Sequence, residues 1–109
     1  MKLPFFRKKA VPDMGYALAP KHLVEQRLRV RYMYREQPDN PQDSGWRFFS
    51  GEETDEYVNQ PDNIGLYDIN TIAAIDPDII PFLNTPYGCA FERSDPSEPF
   101  SASQIFDGE

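Results

Sequence analysis

The clearest hydrophobic pattern in the chain is a strict alternation over residues 27–35, which read RLRVRYMYR. A period of two is typical of a β-strand, because successive side chains point to opposite faces of a sheet. We expect one face of this strand to pack against the core and the arginine face to point outward. The inward-facing positions are predicted to be Leu28, Val30, Tyr32 and Tyr34.

Shorter apolar segments at residues 16–19, 46–49, 64–69 and 88–93 predict the remaining strands. Each is brief because 11 prolines and six glycines divide the chain into short elements. Gly45 lies directly before the second of these segments, where we expect a positive φ or a close approach of the backbone.

Polar residues with helix-capping chemistry predict where the helices begin. Ser50 and Glu53 match a capping box, which predicts a helix from there to about residue 59, with Thr54 as the next candidate for its cap. Asn70 is predicted to cap one or two helical turns. Asp76, which is followed by a proline, is predicted to cap a further short helix.

This order of strands and helices indicates an α+β fold, in which a small antiparallel sheet carries two or three short helices packed on it. We place the folded domain at residues 16–93. Residues 1–15 form a basic N-terminal extension, and residues 94–109 form a polar tail that we expect to be poorly ordered. A chain of 109 residues has room for one modest hydrophobic core.

The charge of the chain is acidic and unevenly distributed. It has 18 acidic and 11 basic residues and a formal net charge of −7, which argues against nonspecific binding to nucleic acid or to an anionic membrane. The basic residues concentrate in residues 1–35 and the acidic ones in residues 36–109. Two interpretations remain open: a basic tail on an acidic body, or two blocks of charge that pair within one fold.

The sequence contains no segment typical of membrane insertion or export. Three basic residues interrupt the apolar start at residues 7–9, and no run approaches the ~18 apolar residues needed to cross a bilayer. Cys89 is the only cysteine, so an internal disulfide is excluded and a reducing compartment is indicated. We therefore expect a soluble, cytoplasmic protein.

Residues with catalytic or metal-binding chemistry are few. His22 is the only histidine and has no nucleophile motif near it, and Cys89 lies in an apolar stretch typical of an inert buried thiol. A zinc site needs several Cys or His ligands, so neither a metal nor another cofactor is predicted. Paired carboxylates remain as candidates for acid–base catalysis.

Acidic residues are densest in the helix predicted near Ser50 and in the loop before it. They are open to three interpretations: a solvated helix face, paired catalytic carboxylates, or a contact surface on which acids steer a basic partner and aromatic side chains anchor it. The aromatic residues fit the core equally well, and a sheet face or residues 27–35 are alternative contact surfaces. The candidate partner-binding residues are Asp39, Asp43, Trp46, Glu52, Glu53, Asp55, Glu56 and Tyr57.

Long segments of the chain carry a resemblance to a known family. They are YMYREQPDN at residues 32–40, DSGWRFFSG at 43–51, PDNIGLYD at 61–68 and PYGCAFER at 86–93, with shorter matches at 55–57, 70–72 and 76–80. Over residues 16–93 the chain resembles the bacterial immunity protein 33 family, which was first catalogued as a domain of unknown function.

The resemblance implies a cytoplasmic α+β domain that is often encoded beside the toxin genes of polymorphic toxin systems. Such proteins are predicted to neutralise a cognate toxin by binding it, and the family supplies no catalytic residues. We therefore expect a non-enzymatic immunity-type protein whose partner is a cognate protein toxin. The alternatives are a small carboxylate-dependent enzyme and a housekeeping binding module, and the oligomeric state stays open.

Overall fold

Six strands form one sheet in the computed structural model, which describes residues 11–103. The strands are β1 Tyr16–Pro20, β2 Tyr32–Arg35, β3 Asp43–Phe49, β4 Ile64–Asp68, β5 Cys89–Glu92 and β6 Ser101–Ala102. The helices are α1 Lys21–Glu25, α2 Asp55–Val58, α3 Ile69–Ile75 and two 3-10 helices, Pro61–Asn63 and Pro77–Phe82. The strands lie in the order β4-β1-β3-β2-β5-β6 across the sheet.

The strand pairing confirms the expected α+β class and corrects one detail of the sheet. Four neighbouring pairs are antiparallel, as expected, but β1 and β3 run parallel. A parallel pair needs a long connection that returns the chain to the same end of the sheet. Residues 21–42, which contain α1 and β2, provide that connection.

The helices that bury side chains pack against one face of the sheet. Leu23 of α1, Ile72 of α3 and Ile79 of the second 3-10 helix are fully buried. They share one core cluster with Met33 of β2 and Trp46 of β3. The cluster comprises Val11, Ala17, Ala19, Leu23, Val30, Met33, Trp46, Phe48, Ile69, Ile72, Ala73, Ile79 and Leu83.

Asp76 fastens this helical layer to one end of the sheet. It caps the second 3-10 helix by accepting a hydrogen bond from the Asp78 amide, which confirms the predicted cap. Its carboxylate, which is fully buried, also accepts from the Val30 amide at 2.8 Å and from Arg93 Nη2 at 2.7 Å. Arg29 Nε lies 3.2 Å away, so here the basic and acidic halves of the chain do pair.

β2 differs from its prediction in both length and register. It begins at Tyr32, and Met33 is the buried residue, while Tyr32 and Tyr34 lie on the opposite face and are half-buried. Val30 is buried as expected. The chain bends at Arg31, so the alternation before the bend and the alternation within the strand no longer share one face.

The predicted capping box at Ser50 does not begin a helix. Glu53 does reach back, and its carboxylate accepts hydrogen bonds from the Ser50 amide and hydroxyl and from the Gly51 amide. Gly51 has a φ of +89°, however, so the backbone there is not helical. α2 begins at Asp55, four residues after Gly51. Its cap is Thr54, the second candidate for this role, which accepts a hydrogen bond from the Tyr57 amide at 3.1 Å.

Asn70 is predicted to cap α3, but it does not. Its side chain instead holds the segment that precedes β1. Asp68 caps α3 by accepting from the Asn70 amide at 2.8 Å. The Asn70 side chain instead accepts from the Val11 amide and donates to the Val11 carbonyl, both at 3.1 Å. Val11 belongs to the core cluster, so the fold begins before residue 16.

The sheet also continues beyond residue 93, where we placed the end of the folded domain. β6 pairs with β5. The ring of Phe100 lies 5.6 Å from that of Phe82 and 4.1 Å from the guanidinium carbon of Arg93. Residues 1–10 and 104–109, which belong to the predicted extension and tail, lie outside the described residues.

The register of β2 can be tested by truncating Met33. Met33 is fully buried, so Met33→Ala should lower the free energy of unfolding by about 2–5 kcal/mol through lost burial and the cavity left behind. Leu66→Ala, on an exposed side chain of β4, should change it by no more than about 0.5 kcal/mol. Urea unfolding of both variants measures the difference, and equal midpoints would show that Met33 does not face the core.

Candidate functional site

The face of the sheet opposite the helices carries a row of side chains that lie outside the core cluster. Strand pairing aligns Leu66, Leu18, Arg47 and Tyr34 in one row across four strands, because directly paired residues share a face. Phe49 and Tyr32 form the next row. We call this surface the open face and define it by Leu18, Tyr32, Tyr34, Arg47, Phe49 and Leu66.

Arg47, at the centre of the open face, is held in a buried ion pair. Its guanidinium donates to both carboxylate oxygens of Asp43 at 2.9 Å, and its Nε donates to Glu36 Oε2 at 2.6 Å. The side chains of Arg47 and Asp43 are 3% and 0% exposed. This two-pronged geometry is the strongest form of a hydrogen-bonded ion pair.

The surroundings of this pair keep both groups charged. The Arg47 guanidinium, with the amides of Asp39 and Gly45, lowers the pKa of Asp43 to about 2, although burial opposes the shift. Burial also opposes ionisation of Arg47, but the hydrogen bonds to Asp43 and Glu36 raise its pKa above the usual value. The pair therefore persists across the physiological pH range.

Gly45 allows the irregular start of β3 that brings these groups together. It has a φ of +88°, as predicted, and its amide donates to Asp43 Oδ1 at 2.9 Å. A Cβ at this position would lie 2.4 Å from the Glu36 carbonyl oxygen, closer than any side chain tolerates. Only glycine fits both the backbone angle and the space.

Three aromatic rings lie beside Arg47 on the open face. Tyr34 and Phe49 stack at 6.2 Å between centroids and 12° between planes, and Tyr32 lies 5.8 Å from Tyr34 and 6.2 Å from Phe49. All three rings are half-buried. Burial raises the pKa of both tyrosines, with additional contributions from Glu92 for Tyr32 and from Glu36 for Tyr34.

Carboxylates border the open face. Glu36 lies beside Arg47, Glu92 is paired with Tyr32 across the strands, and Asp68 is at the end of β4. All three are exposed to solvent. Arg31 lies at one corner, where it lines a cavity of about 570 Å³ together with Tyr32 and Glu92.

The structure separates the sequence-predicted site residues into buried and exposed groups. Asp43 is part of the buried ion pair, and Trp46 is fully buried in the core, where its ring stacks on Phe48 and its Nε1 donates to the Leu83 carbonyl at 3.1 Å. Neither side chain is therefore on the surface. Asp39 is exposed, and its backbone amide donates to Asp43 Oδ2 at 2.9 Å.

The remaining predicted residues form one acidic segment, which we define as residues 52–57. Glu52, Asp55 and Glu56 are exposed. Glu53 is not: its side chain is 4% exposed and lies 2.7 Å from His22 Nε2. Burial opposes the shift, but the hydrogen bonds from Ser50 and His22 lower the pKa of Glu53.

Tyr57 joins the acidic segment to α1. Its ring lies 4.9 Å from that of His22, and its hydroxyl accepts from the His22 amide at 3.4 Å. The ring is half-buried. Tyr57 therefore supports the segment and leaves part of its surface free for a contact.

Residues 11–103 contain no cluster of three or more His, Cys, Asp or Glu residues arranged to hold a metal ion. Burial raises the pKa of the Cys89 thiol, which keeps it protonated and weakly nucleophilic. No helix within these residues is both long and apolar enough to cross a bilayer.

The family model for the Immunity protein Imm33 domain matches residues 17–103. This match covers all six strands except the first residue of β1. The chain belongs to the Imm33 family. No curated protein and no solved structure gives a match. The resemblance seen in the sequence is thereby confirmed, and the matched region extends ten residues beyond its expected end.

One segment of the Imm33 resemblance, residues 43–51, contributes side chains to both faces of the sheet. Trp46 and Phe48 point into the core, while Arg47 and Phe49 point to the open face. Sequence reasoning did not select Arg47 or Phe49 as site residues. The available signal was an arginine inside an otherwise apolar strand, which requires a buried partner.

The ion pair in this Imm33 domain predicts a loss of stability in acid. Asp43 has a pKa of about 2 in the folded chain, against about 4 in an unfolded chain, so the unfolded state binds a proton first as the pH falls. The stabilisation from Asp43, about 2 kcal/mol, should therefore be complete above pH ~4 and lost by pH ~2.

The variant Asp43→Asn isolates this contribution. At pH 7 it should lower the free energy of unfolding by about 3 kcal/mol, because Arg47 stays buried without its main partner. The gap between wild type and variant, measured by urea unfolding, should narrow between pH ~4 and pH ~2. Asp39→Asn serves as the control and should follow the wild type. A gap that stays constant with pH would contradict the assignment.

Proposed function

We propose that this Imm33 domain is a non-enzymatic immunity protein that binds a cognate protein toxin and neutralises it in the bacterial cytoplasm. The observation that carries the proposal is the family match over residues 17–103. The lone Cys89 supports a reducing compartment.

The carboxylate chemistry supports binding over catalysis. A general acid at neutral pH needs a raised pKa, which burial without partners produces. Here hydrogen bonds lower the pKa of Asp43, Glu53 and Asp78 instead. Carboxylates held ionised in this way support a structural role and disfavour a general-acid role for these three residues.

The acidic segment is proposed as one part of the toxin-binding surface. Its exposed carboxylates on Glu52, Asp55 and Glu56 are placed to attract a basic partner, and the free side of Tyr57 adds contact area. Asp39 lies in the preceding loop. Asp43, Trp46 and Glu53 contribute indirectly, because they hold the strand and the loop that carry the segment.

A titration distinguishes binding from catalysis. We expect a toxin domain to be encoded beside the gene for this chain, and this domain is the probe. Its activity is assayed while purified Imm33 domain is added. A stoichiometric inhibitor abolishes the activity at equimolar ratio, whereas an enzyme acting on the toxin or its product does so at a small fraction of that ratio. Full toxin activity with the Imm33 domain in excess would contradict the proposed function.

Charge reversal tests the role of the acidic segment. Asp55→Lys with Glu56→Lys should slow association with the toxin domain at low salt, because the exposed acids steer a basic partner. The effect should shrink as salt increases. The change is measured as the association rate constant by surface plasmon resonance.

The matched control is Asp13→Lys with Asp95→Lys, which changes the net charge by the same amount at exposed positions outside the acidic segment and the open face. It should leave the association rate closer to that of wild type. Equal slowing in both pairs would show that overall charge, and not the acidic segment, controls association.

A further inference from the structure

We propose that the open face of the sheet is the main docking surface for the toxin, and that the toxin presents apolar side chains flanked by lysine or arginine. This inference rests on the proposed function and names the surface and the partner chemistry that the family match does not specify. Three properties of the open face support it: exposed apolar side chains, a rigid centre and negative charge at the border.

The open face displays apolar surface that the described chain leaves uncovered. Leu66 is 63% exposed, the highest value among the large hydrophobic residues of the described chain. Leu18 and the three aromatic rings beside Arg47 are only half-buried. Exposed apolar side chains on one face of a sheet, bordered by polar residues, are typical of a protein–protein interface.

The centre of the open face is rigid before any partner binds. Arg47 is locked by hydrogen bonds to Asp43 and Glu36, and Tyr34 stacks directly on Phe49. Both faces of β3 are buried along nearly its whole length. Such side chains lose little conformational entropy on binding, which favours affinity.

The charge on the open face selects a basic partner. Arg47 and Asp43 neutralise each other, which leaves Glu36, Glu92 and Asp68 as exposed carboxylates along the border, with Arg31 at one corner. A second copy of the chain would bring these like charges together. A surface with Lys or Arg around an apolar centre would pair with them.

The open face is also continuous with the acidic segment. β1 and β3 run parallel and end at the same side of the sheet, and the segment follows Phe49 after two residues. α2 has only four residues and buries none of them. It therefore suits a steering role, while the rigid sheet suits the role of a docking platform.

Two open-face variants test the proposal. Leu66→Arg places a bulky cation in the apolar patch at an exposed position, and Glu92→Lys reverses a bordering charge on the other side of the face. The control is Thr71→Arg, which introduces an arginine at an exposed position of α3 in the helical layer. Thermal unfolding of each variant verifies that it is folded.

The probe is the same expected toxin domain, inactivated at its catalytic residue, with affinity measured by calorimetry. Leu66→Arg should weaken binding by tenfold or more, because it places an unpaired cation in an apolar contact with a basic partner. Glu92→Lys should slow association at low salt. Thr71→Arg should leave both values unchanged.

Three other outcomes overturn the inference. If both open-face variants bind like wild type while the Asp55 and Glu56 reversal weakens binding, the docking surface is wrong and the proposed function stands. If wild type is a dimer that Leu66→Arg dissociates in sedimentation experiments, a second copy covers the face. If the wild-type protein binds no toxin domain, the proposed function and the docking surface fail together.

Discussion

A buried ion pair between Asp43 and Arg47 allows the central strand to be covered on both sides although helices pack on only one. The helical layer buries Trp46 and Phe48 on one face of β3. On the other face, where no helix of residues 11–103 packs, the side chain of Arg47 is buried instead. Asp43 and Glu36 balance the charge of its guanidinium. Removing either member of such a pair leaves an uncompensated buried charge, so the pair constrains the strand more than it stabilises it.

That constraint extends to the residues that surround the pair. The Gly45 amide and the Asp39 amide both donate to Asp43, so the irregular start of β3 helps to hold the carboxylate that Arg47 binds. A one-residue slip of β3 would move Arg47 into the apolar core. Asp76 and Arg93 act in the same way at the helical layer, where they bind the backbone of Val30, two residues before β2, and Asp76 caps the second 3-10 helix. The two ion pairs together specify how strands and helices align.

The fold could be predicted from the sequence where local chemistry decides it and not where distant contacts do. The strands at Tyr16, Ile64 and Cys89, the positive φ of Gly45 and the cap at Asp76 follow from residue type and spacing alone. The register of β2 depends on a bend at Arg31 that alternation does not reveal. The parallel pairing of β1 with β3 is equally hidden, since it joins residues far apart in the chain.

The sequence shows where the acidic residues are, but not which of them are buried in the fold. The side chains of Asp43 and Glu53 are buried and held in hydrogen bonds, while Asp55 and Glu56 are exposed.

The dual use of β3 decides which substitutions are informative about binding. Its side chains alternate between the core and the open face, so a change at Phe49 or Arg47 disturbs the stacking or the ion pair as well as the surface. A loss of binding there has two explanations that an affinity alone does not separate. Leu66 and Glu92 lie at the margins of the same face and are exposed. Substituting them changes the surface that a partner contacts and leaves the central ion pair intact. For this reason the variants that test binding lie at the margins of the open face and not at its centre.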